Sequence, residues 1–335
     1  MTSSKKICVL GTGSWGSALA LTMAQQGNSI KLWGHNPNHV EEIKISRLNP
    51  TYVPCVIFPK NIHLTHGLAE CADADVIFFV IPSKFLRNVA IAFVKVAPRF
   101  SGTLISCTKG IEHSSGKLMS EVLAEILPHA SMAVLSGPNL AGDISRGLPA
   151  AGVLGCEEPA LTTSLLSIFQ ETSYRAYSSS DIRGIQLGGA LKNIFAIAAA
   201  VSDGLGMGEN ARAGIVTRSL AEMTRLGTAM GGDRQTFSGL SGVGDLMATC
   251  FSPHSRNYQA GLQLCRGKSV SEIQHSMVMV AEGLPTAQSA QACAQKLDVE
   301  VPIIDAVVDL LHQKKTPQEA MYDLLQRKLR SEEEL

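Results

Sequence analysis

Lys192 is the most chemically unusual residue in the chain. It lies in Leu187-Gly188-Gly189-Ala190-Leu191-Lys192-Asn193-Ile194-Phe195-Ala196-Ile197-Ala198-Ala199-Ala200, a stretch apolar on nearly every helical face. Helices of that kind are buried, and a buried lysine is rare unless it is paired or used. Burial and a neighbouring cation both favour the neutral amine, which suits a proton-transfer group near neutral pH. The alternative is a lysine that snorkels to solvent from a helix end. Gly188 and Gly189 precede it by one turn on the same face and leave room for another group or a ligand. Three other places supply polar groups. Lys109 follows the apolar run ending at Cys107; it reads as a phosphate or carbonyl contact if its loop faces a ligand, and otherwise as a surface lysine. Ser255-Arg256-Asn257 opens a helical run, so Ser255 can cap it, and free N–H groups with Arg256 and Asn257 make a phosphate site. A capped helix with a solvated arginine fits the same residues. Asp245, after Gly242-Val243-Gly244, suits helix-start chemistry, the orienting of a lysine, or acceptance from a substrate hydroxyl.

A second kind of chemistry is written near the start. Gly11-Thr12-Gly13-Ser14-Trp15-Gly16 directly follows Ile7-Cys8-Val9-Leu10 and precedes a helical run. This is the glycine fingerprint of a dinucleotide-binding turn in its strand–turn–helix setting. Gly11 permits the sharp turn, Gly13 lets backbone approach a pyrophosphate, and Gly16 lets the helix pack close to the sheet. The free N–H groups and positive dipole end of the helix then face the phosphates. Gly27 falls where a C-cap belongs and Ser29-Ile30-Lys31-Leu32-Trp33 resumes as a strand, which favours a cofactor over a merely structural turn. A carboxylate for the ribose 2′-hydroxyl is expected at the end of that strand. The chain has Trp33-Gly34-His35-Asn36 instead, and Glu41 and Glu42 come later. Nothing there repels a 2′-phosphate, and His35 with Arg256 could receive one, so both NADP(H) and NAD(H) are expected as cofactors.

Around these residues, short β-branched runs alternate with helical stretches through the first half. Strands are expected at 6–10, 29–33, 75–81, 102–107, 132–136, 150–155 and 174–177, with helices at 15–26, 37–47, 84–97, 115–127 and 158–171. Ligands bind at the carboxyl ends of such strands, where Ile81-Pro82-Ser83-Lys84, Cys107-Thr108-Lys109-Gly110 and Ser136-Gly137-Pro138-Asn139 lie. After about residue 185 helical patterns dominate. The fold class is therefore α/β: a Rossmann-like dinucleotide-binding domain with a mostly parallel sheet over residues 1–187, then an all-helical substrate domain over 188–335.

The bulk composition narrows the field. The 29 basic and 29 acidic residues cancel, so nucleic-acid binding has no electrostatic support. The eight cysteines include no C-x-x-C pair and mostly lie in apolar runs, as reduced thiols do. Residues 185–201 are apolar but carry Lys192 and Asn193 and fall short of the ~20 residues of a membrane span. The expectation is a cytoplasmic chain without stable membrane insertion. His63 and His66 find no cysteine or carboxylate to complete a metal site, and no metal is expected. Neither a nucleophile elbow nor a Walker A sequence is present.

Taken together, the segments resemble the NAD(P)-dependent glycerol-3-phosphate dehydrogenase family of bacterial type. The matching pieces are the turn at 11–16, Leu32-Trp33-Gly34-His35, Thr108-Lys109-Gly110-Ile111-Glu112 and Ser136-Gly137-Pro138. They continue, in family order, with Leu191-Lys192-Asn193, Leu240-Ser241-Gly242-Val243-Gly244-Asp245-Leu246, Ser255-Arg256-Asn257 and Val280-Ala281-Glu282-Gly283. The resemblance implies reduction of dihydroxyacetone phosphate to sn-glycerol 3-phosphate, supplying phospholipid synthesis. It implies that Lys192 is the proton donor and acceptor and that Lys109 touches both cofactor and substrate. Gly137, Asn139, Asp245, Ser255, Arg256 and Asn257 correspond to substrate contacts; Ser14, Trp15, His35, Lys109, Ala141, Arg256, Val280 and Glu282 correspond to cofactor contacts. A homodimer is typical of the family. Position 139 departs from relatives that carry a small hydroxyl residue, and Trp15 varies among aromatics.

Other readings compete. A β-hydroxyacid or 6-phosphogluconate-type dehydrogenase would also join a glycine fingerprint to a helical domain with a Lys-Asn pair, but the Ser255-Arg256-Asn257 segment with Asp245 upstream favours the glycerol phosphate reading. A non-catalytic nucleotide sensor would need neither Lys192 nor a second anion site.

Overall fold

A computed structural model describes residues 5–277, 279–328 and 331. The chain divides into two compact units, Met1–Thr108 with Met119–Ile182, and Lys109–Leu118 with Arg183–Leu335.

Among the described residues the first unit has ten strands: β1 (Ile7–Leu10), β2 (Ile30–Trp33), β3 (Leu48–Asn49), β4 (Val53–Ile57), β5 (Ile62–Thr65), β6 (Val76–Phe79), β7 (Thr103–Ser106), β8 (Ser131–Ser136), β9 (Ala150–Gly155) and β10 (Tyr174–Ser179). Eight of them form one sheet in the order β10-β9-β8-β7-β6-β1-β2-β5, and β3 pairs with β4 in a separate hairpin. Every pairing in the large sheet is parallel except β8 with β9. The central strands β1, β6 and β7 are buried at every position, which is why β1 and β6 read as unbroken apolar runs rather than alternating ones. Among the described residues this unit has six α-helices: α1 (Ser14–Ala24), α2 (Pro37–Ser46), α3 (Ser83–Val96), α4 (Met119–Ile126), α5 (Ala141–Ser145) and α6 (Pro159–Leu166). Two apolar clusters fill the unit, one holding Val9, Leu19, Ile105 and Leu154, the other Leu10, Phe79, Leu86 and Leu104.

All seven expected strands are present. The helix expected at 37–47 is present as α2, while residues 48–74, to which the sequence reading assigns no element, contribute the β3–β4 hairpin and the edge strand β5. β5 is Ile-His-Leu-Thr with His63 exposed between buried neighbours, too short and too polar to stand out by pattern. The helix expected from residue 115 begins at Met119, and α6 gives way to a 3₁₀ turn at Ser167–Phe169.

The second unit contains α7 (Ile182–Gly204), α8 (Gly208–Ala229), α9 (Asp245–Cys250), α10 (Arg256–Cys265), α11 (Val270–Ser276), α12 (Gly283–Lys296), α13 (Pro302–Leu311) and α14 (Pro317–Leu325). α7 is its axis, buried without a break from Gly184 to Ser202. By length and hydropathy α7 resembles a membrane span, yet the whole apolar window is covered by protein, as in a core helix. The second unit begins at Arg183, within the first turn of α7. It also takes Lys109–Leu118, because Ile111 and Leu118 are buried in the same cluster as Leu187, Leu191 and Phe195.

Candidate active site

In the first unit, the turn after β1 has the geometry its glycines require. Gly11 has φ +129°, and a Cβ there would collide with the Val80 carbonyl oxygen; a Cβ on Gly16 would collide with the Gly11 carbonyl. Gly13 is different, since a Cβ there meets nothing within 4 Å. That open space beside the backbone, at the start of α1, is what a pyrophosphate needs. The residues present therefore fit a dinucleotide. Gly34 after β2 brings His35 to an exposed position, and Asn36 caps α2 by accepting from the N–H groups of Asn38 and His39.

Among the buried polar atoms of this unit that have no partner among the described residues are two side-chain N–H donors, Trp15 Nε1 and Asn139 Nδ2. They flank Tyr174, whose ring centroid is 6.1 Å from that of Trp15 and whose hydroxyl donates to Asn139 Oδ1 at 2.9 Å. Asn139 thus spends its acceptor on Tyr174 and keeps its amide nitrogen as a donor. Gly137 has φ +136°, and a Cβ there would crowd Gly152, so its identity has a packing reason independent of any ligand.

In the second unit, Lys192 is buried inside α7. Asp245, at the start of α9, sits 3.0 Å from its ammonium through Oδ1 and pairs with Lys109 through Oδ2. Lys192 also donates to Thr249 Oγ1 at 2.7 Å, and that hydroxyl in turn donates to the Asp245 carbonyl, 2.6 Å away. Burial pushes the Lys192 pKa down to about 8. The Lys109 and Arg256 cations also lower it, while the Asp245 carboxylate holds it up. Snorkelling is excluded, because the amine is held by Asp245 and Thr249. The space expected beside Gly188 is taken by the backbone at Ser241 and Gly242. These residues belong to a π-helical turn, Leu240–Gly244, that runs directly into α9 and delivers Asp245.

The Ser255-Arg256-Asn257 segment opens α10, and the Ser255 hydroxyl accepts from the Tyr258 N–H. Asn257 is buried: its Nδ2 donates to Asn193 Oδ1 at 2.7 Å, and its Oδ1 accepts from the Gly283 N–H at 2.8 Å. Arg256 is exposed at its outer atoms, yet the protein packed around its guanidinium lowers its pKa, an effect the Glu282 carboxylate opposes. Val280 is exposed and Glu282 half-buried beside it. Of the residues singled out by sequence, the second unit thus holds Lys109, Lys192, Asp245, Ser255, Arg256, Asn257, Val280 and Glu282, while the first holds Ser14, Trp15, His35, Gly137, Asn139 and Ala141. Thr249, which links Lys192 to Asp245, and Asn193, which accepts from Asn257, were not singled out as site residues. Thr249 lies one helical turn after Asp245, and that spacing was the available signal.

A mostly parallel sheet with a dinucleotide turn, together with a helical unit carrying a largely buried lysine–carboxylate–lysine cluster, defines a nicotinamide-dependent dehydrogenase class. Residues 6–162 match the family described as NAD-dependent glycerol-3-phosphate dehydrogenase N-terminus, and residues 181–322 match its C-terminus. The chain is 40% identical over 332 residues to a glycerol-3-phosphate dehydrogenase [NAD(P)+] of Geobacter sp. (strain M21), covering 98% of this chain and 99% of that one. It is 42% identical over 330 residues to the enzyme of the same name from Oleidesulfovibrio alaskensis, covering 98% and 100%. The crystal structure of glycerol-3-phosphate dehydrogenase from Coxiella burnetii superposes with a TM-score of 0.92 at 36% identity, covering 97% of this chain and 99% of that one. The chain belongs to the NAD-dependent glycerol-3-phosphate dehydrogenase family.

Proposed function

We propose that the protein is an NAD(P)-dependent oxidoreductase that reduces dihydroxyacetone phosphate to sn-glycerol 3-phosphate, reversibly, for glycerophospholipid synthesis. The observation that carries the chemistry is Lys192, buried yet paired at 3.0 Å with Asp245 and with a pKa near 8. When bound, NAD(P)H supplies the hydride for the ketone carbon. Lys192 donates its proton to the substrate oxygen as negative charge develops there, and in the reverse direction the neutral amine takes it back. Lys109 adds positive charge at the same oxygen. Asp245 keeps enough of Lys192 protonated for that step and aims both lysines. Ser255, Arg256, Asn257 and the N–H groups opening α10 bind the substrate phosphate, which fixes the reacting carbon. Gly137 and Asn139 make further substrate contacts, Asn139 through its unpartnered amide nitrogen.

The cofactor is held by Gly11, Gly13, Ser14, Trp15 and Gly16, with His35, Lys109, Ala141, Arg256, Val280 and Glu282 as further contacts. No acidic residue stands at 34–36 to exclude a 2′-phosphate, which supports use of NADPH as well as NADH. We further propose a cytoplasmic homodimer. Steady-state oxidation of NADPH and NADH, with dihydroxyacetone phosphate against 2- and 3-ketoacids, tests the reading. Turnover confined to dihydroxyacetone phosphate with both cofactors is expected; preferential turnover of a ketoacid, or cofactor binding without any turnover, contradicts it.

A further inference from the structure

Asn49, in the two-residue strand β3, is completely buried. Its side chain joins three elements. Nδ2 donates to the carbonyl oxygen of Thr12 at 2.9 Å, inside the glycine turn, and to Ser17 Oγ on α1 at 3.1 Å. Oδ1 lies 3.1 Å from His39 Nε2 on α2. A carbonyl only accepts, so the amide nitrogen must face Thr12. That leaves Oδ1 for the imidazole, which therefore carries hydrogen on Nε2. The Ser17 hydroxyl also donates to the Thr12 carbonyl, at 3.2 Å.

Two side-chain donors thus fix the direction of one peptide group. The Thr12–Gly13 peptide is planar and trans, so its N–H points opposite to its C=O. Holding the Thr12 carbonyl toward buried Asn49 turns the Gly13 N–H away from it, and Gly13 is the turn residue flanked by open space. The hairpin supports the arrangement: the Asn49 carbonyl accepts from the Tyr52 N–H at 3.2 Å, and the Tyr52 ring meets that of His39 edge-on with centroids 5.5 Å apart.

We infer that Asn49 is a positioning residue of the cofactor site, orienting the Thr12–Gly13 peptide so that its N–H faces the dinucleotide pyrophosphate, with His39 holding Asn49 in register. The inference rests on the glycine turn being the cofactor seat. NADPH binding by fluorescence titration, with KM for NADPH and for dihydroxyacetone phosphate, tests it in the full-length enzyme. Gly13→Asp, at a position where a side chain fits the fold, reports on the seat itself and is expected to abolish binding. Asn49→Asp has the same shape but cannot donate to a carbonyl; its Kd and KM for NADPH should rise about tenfold, more than its KM for dihydroxyacetone phosphate. His39→Leu changes only a half-buried ring and should weaken NADPH about threefold, so it decides the matter if Asn49→Asp does not fold. If Gly13→Asp loses NADPH while His39→Leu and any folded Asn49→Asp bind as wild type does, Asn49 is merely structural and the inference fails, the seat standing. If Gly13→Asp also binds as wild type does, seat and inference fall together.

Discussion

The Asp245 carboxylate lies 3.0 Å from the Lys192 ammonium at a position where both side chains are nearly excluded from solvent. Neither charge would be tolerated there alone, since an isolated buried ion costs several kcal/mol or neutralises. The pairing keeps Lys192 chargeable, while burial and the Lys109 and Arg256 cations keep it close to losing its proton. That balance is what a reversible proton donor requires.

Thr249→Val should slow the proton step without disturbing phosphate binding. The variant keeps the shape of the threonine but removes the oxygen that accepts from Lys192 at 2.7 Å. Losing one buried hydrogen bond to a charged group costs about 1.5–3 kcal/mol. The protonated amine loses that support, so its pKa falls further. The expected outcome is a kcat for ketone reduction lowered about tenfold or more, a pH profile moved to lower pH, and a KM for dihydroxyacetone phosphate within a factor of about two. An unmoved profile would remove Thr249 from the network.

Glu222, on α8, carries a stability prediction far from the chemistry. It is buried, and its two oxygens accept from the N–H groups of Ile303 and Ile304 at 2.9 Å each, satisfying two orphan donors at the start of α13. Burial pushes its pKa from the ordinary 4.5 up to about 7, against the lowering effect of those two donors. The folded state therefore binds the proton more tightly than the unfolded chain. The stability this contributes is fully present below pH 4.5 and is lost as pH rises toward 7. Melting temperatures between these limits should show a decline with rising pH that Glu222→Gln removes. The variant should be less stable than wild type at low pH, because its amide nitrogen cannot accept the second N–H, and the difference should shrink as pH rises. Equal slopes for the two proteins would contradict the assignment.

Much of this was legible in the residues, for identifiable reasons. The glycine turn declares itself because each glycine answers a local steric demand, and Gly11 and Gly16 meet the backbone contacts that demand implies. Lys192 stands out because a lone cation in an apolar helix has few explanations. What made it functional, however, is set by long-range pairing: Asp245 and Lys109 are far from it in sequence, and only folding chooses between helix-start residue, surface lysine and active cluster. Thr249 was missed because a threonine in Leu-Met-Ala-Thr-Cys is unremarkable until Asp245 is known to face Lys192. The β3–β4 hairpin was missed because β3 is two residues long and β4 is interrupted by Pro54, and with it went Asn49, whose side chain reports on a turn 37 residues earlier. Gly188 was misread in the opposite sense, since its small size serves close packing against Ser241 rather than a ligand.

The pH dependence of kcat in both directions, with wild type and Lys192→Met, tests the central claim most directly. Reduction of dihydroxyacetone phosphate needs protonated Lys192 and should fall as pH rises through about 8, whereas oxidation of glycerol 3-phosphate needs the neutral amine and should rise through the same region. Methionine fills the space without a proton, so Lys192→Met should lower kcat by roughly 10²–10⁴-fold and abolish both limbs. A Lys192→Met enzyme that keeps near wild-type kcat, or the same pH limbs as wild type, would contradict the account.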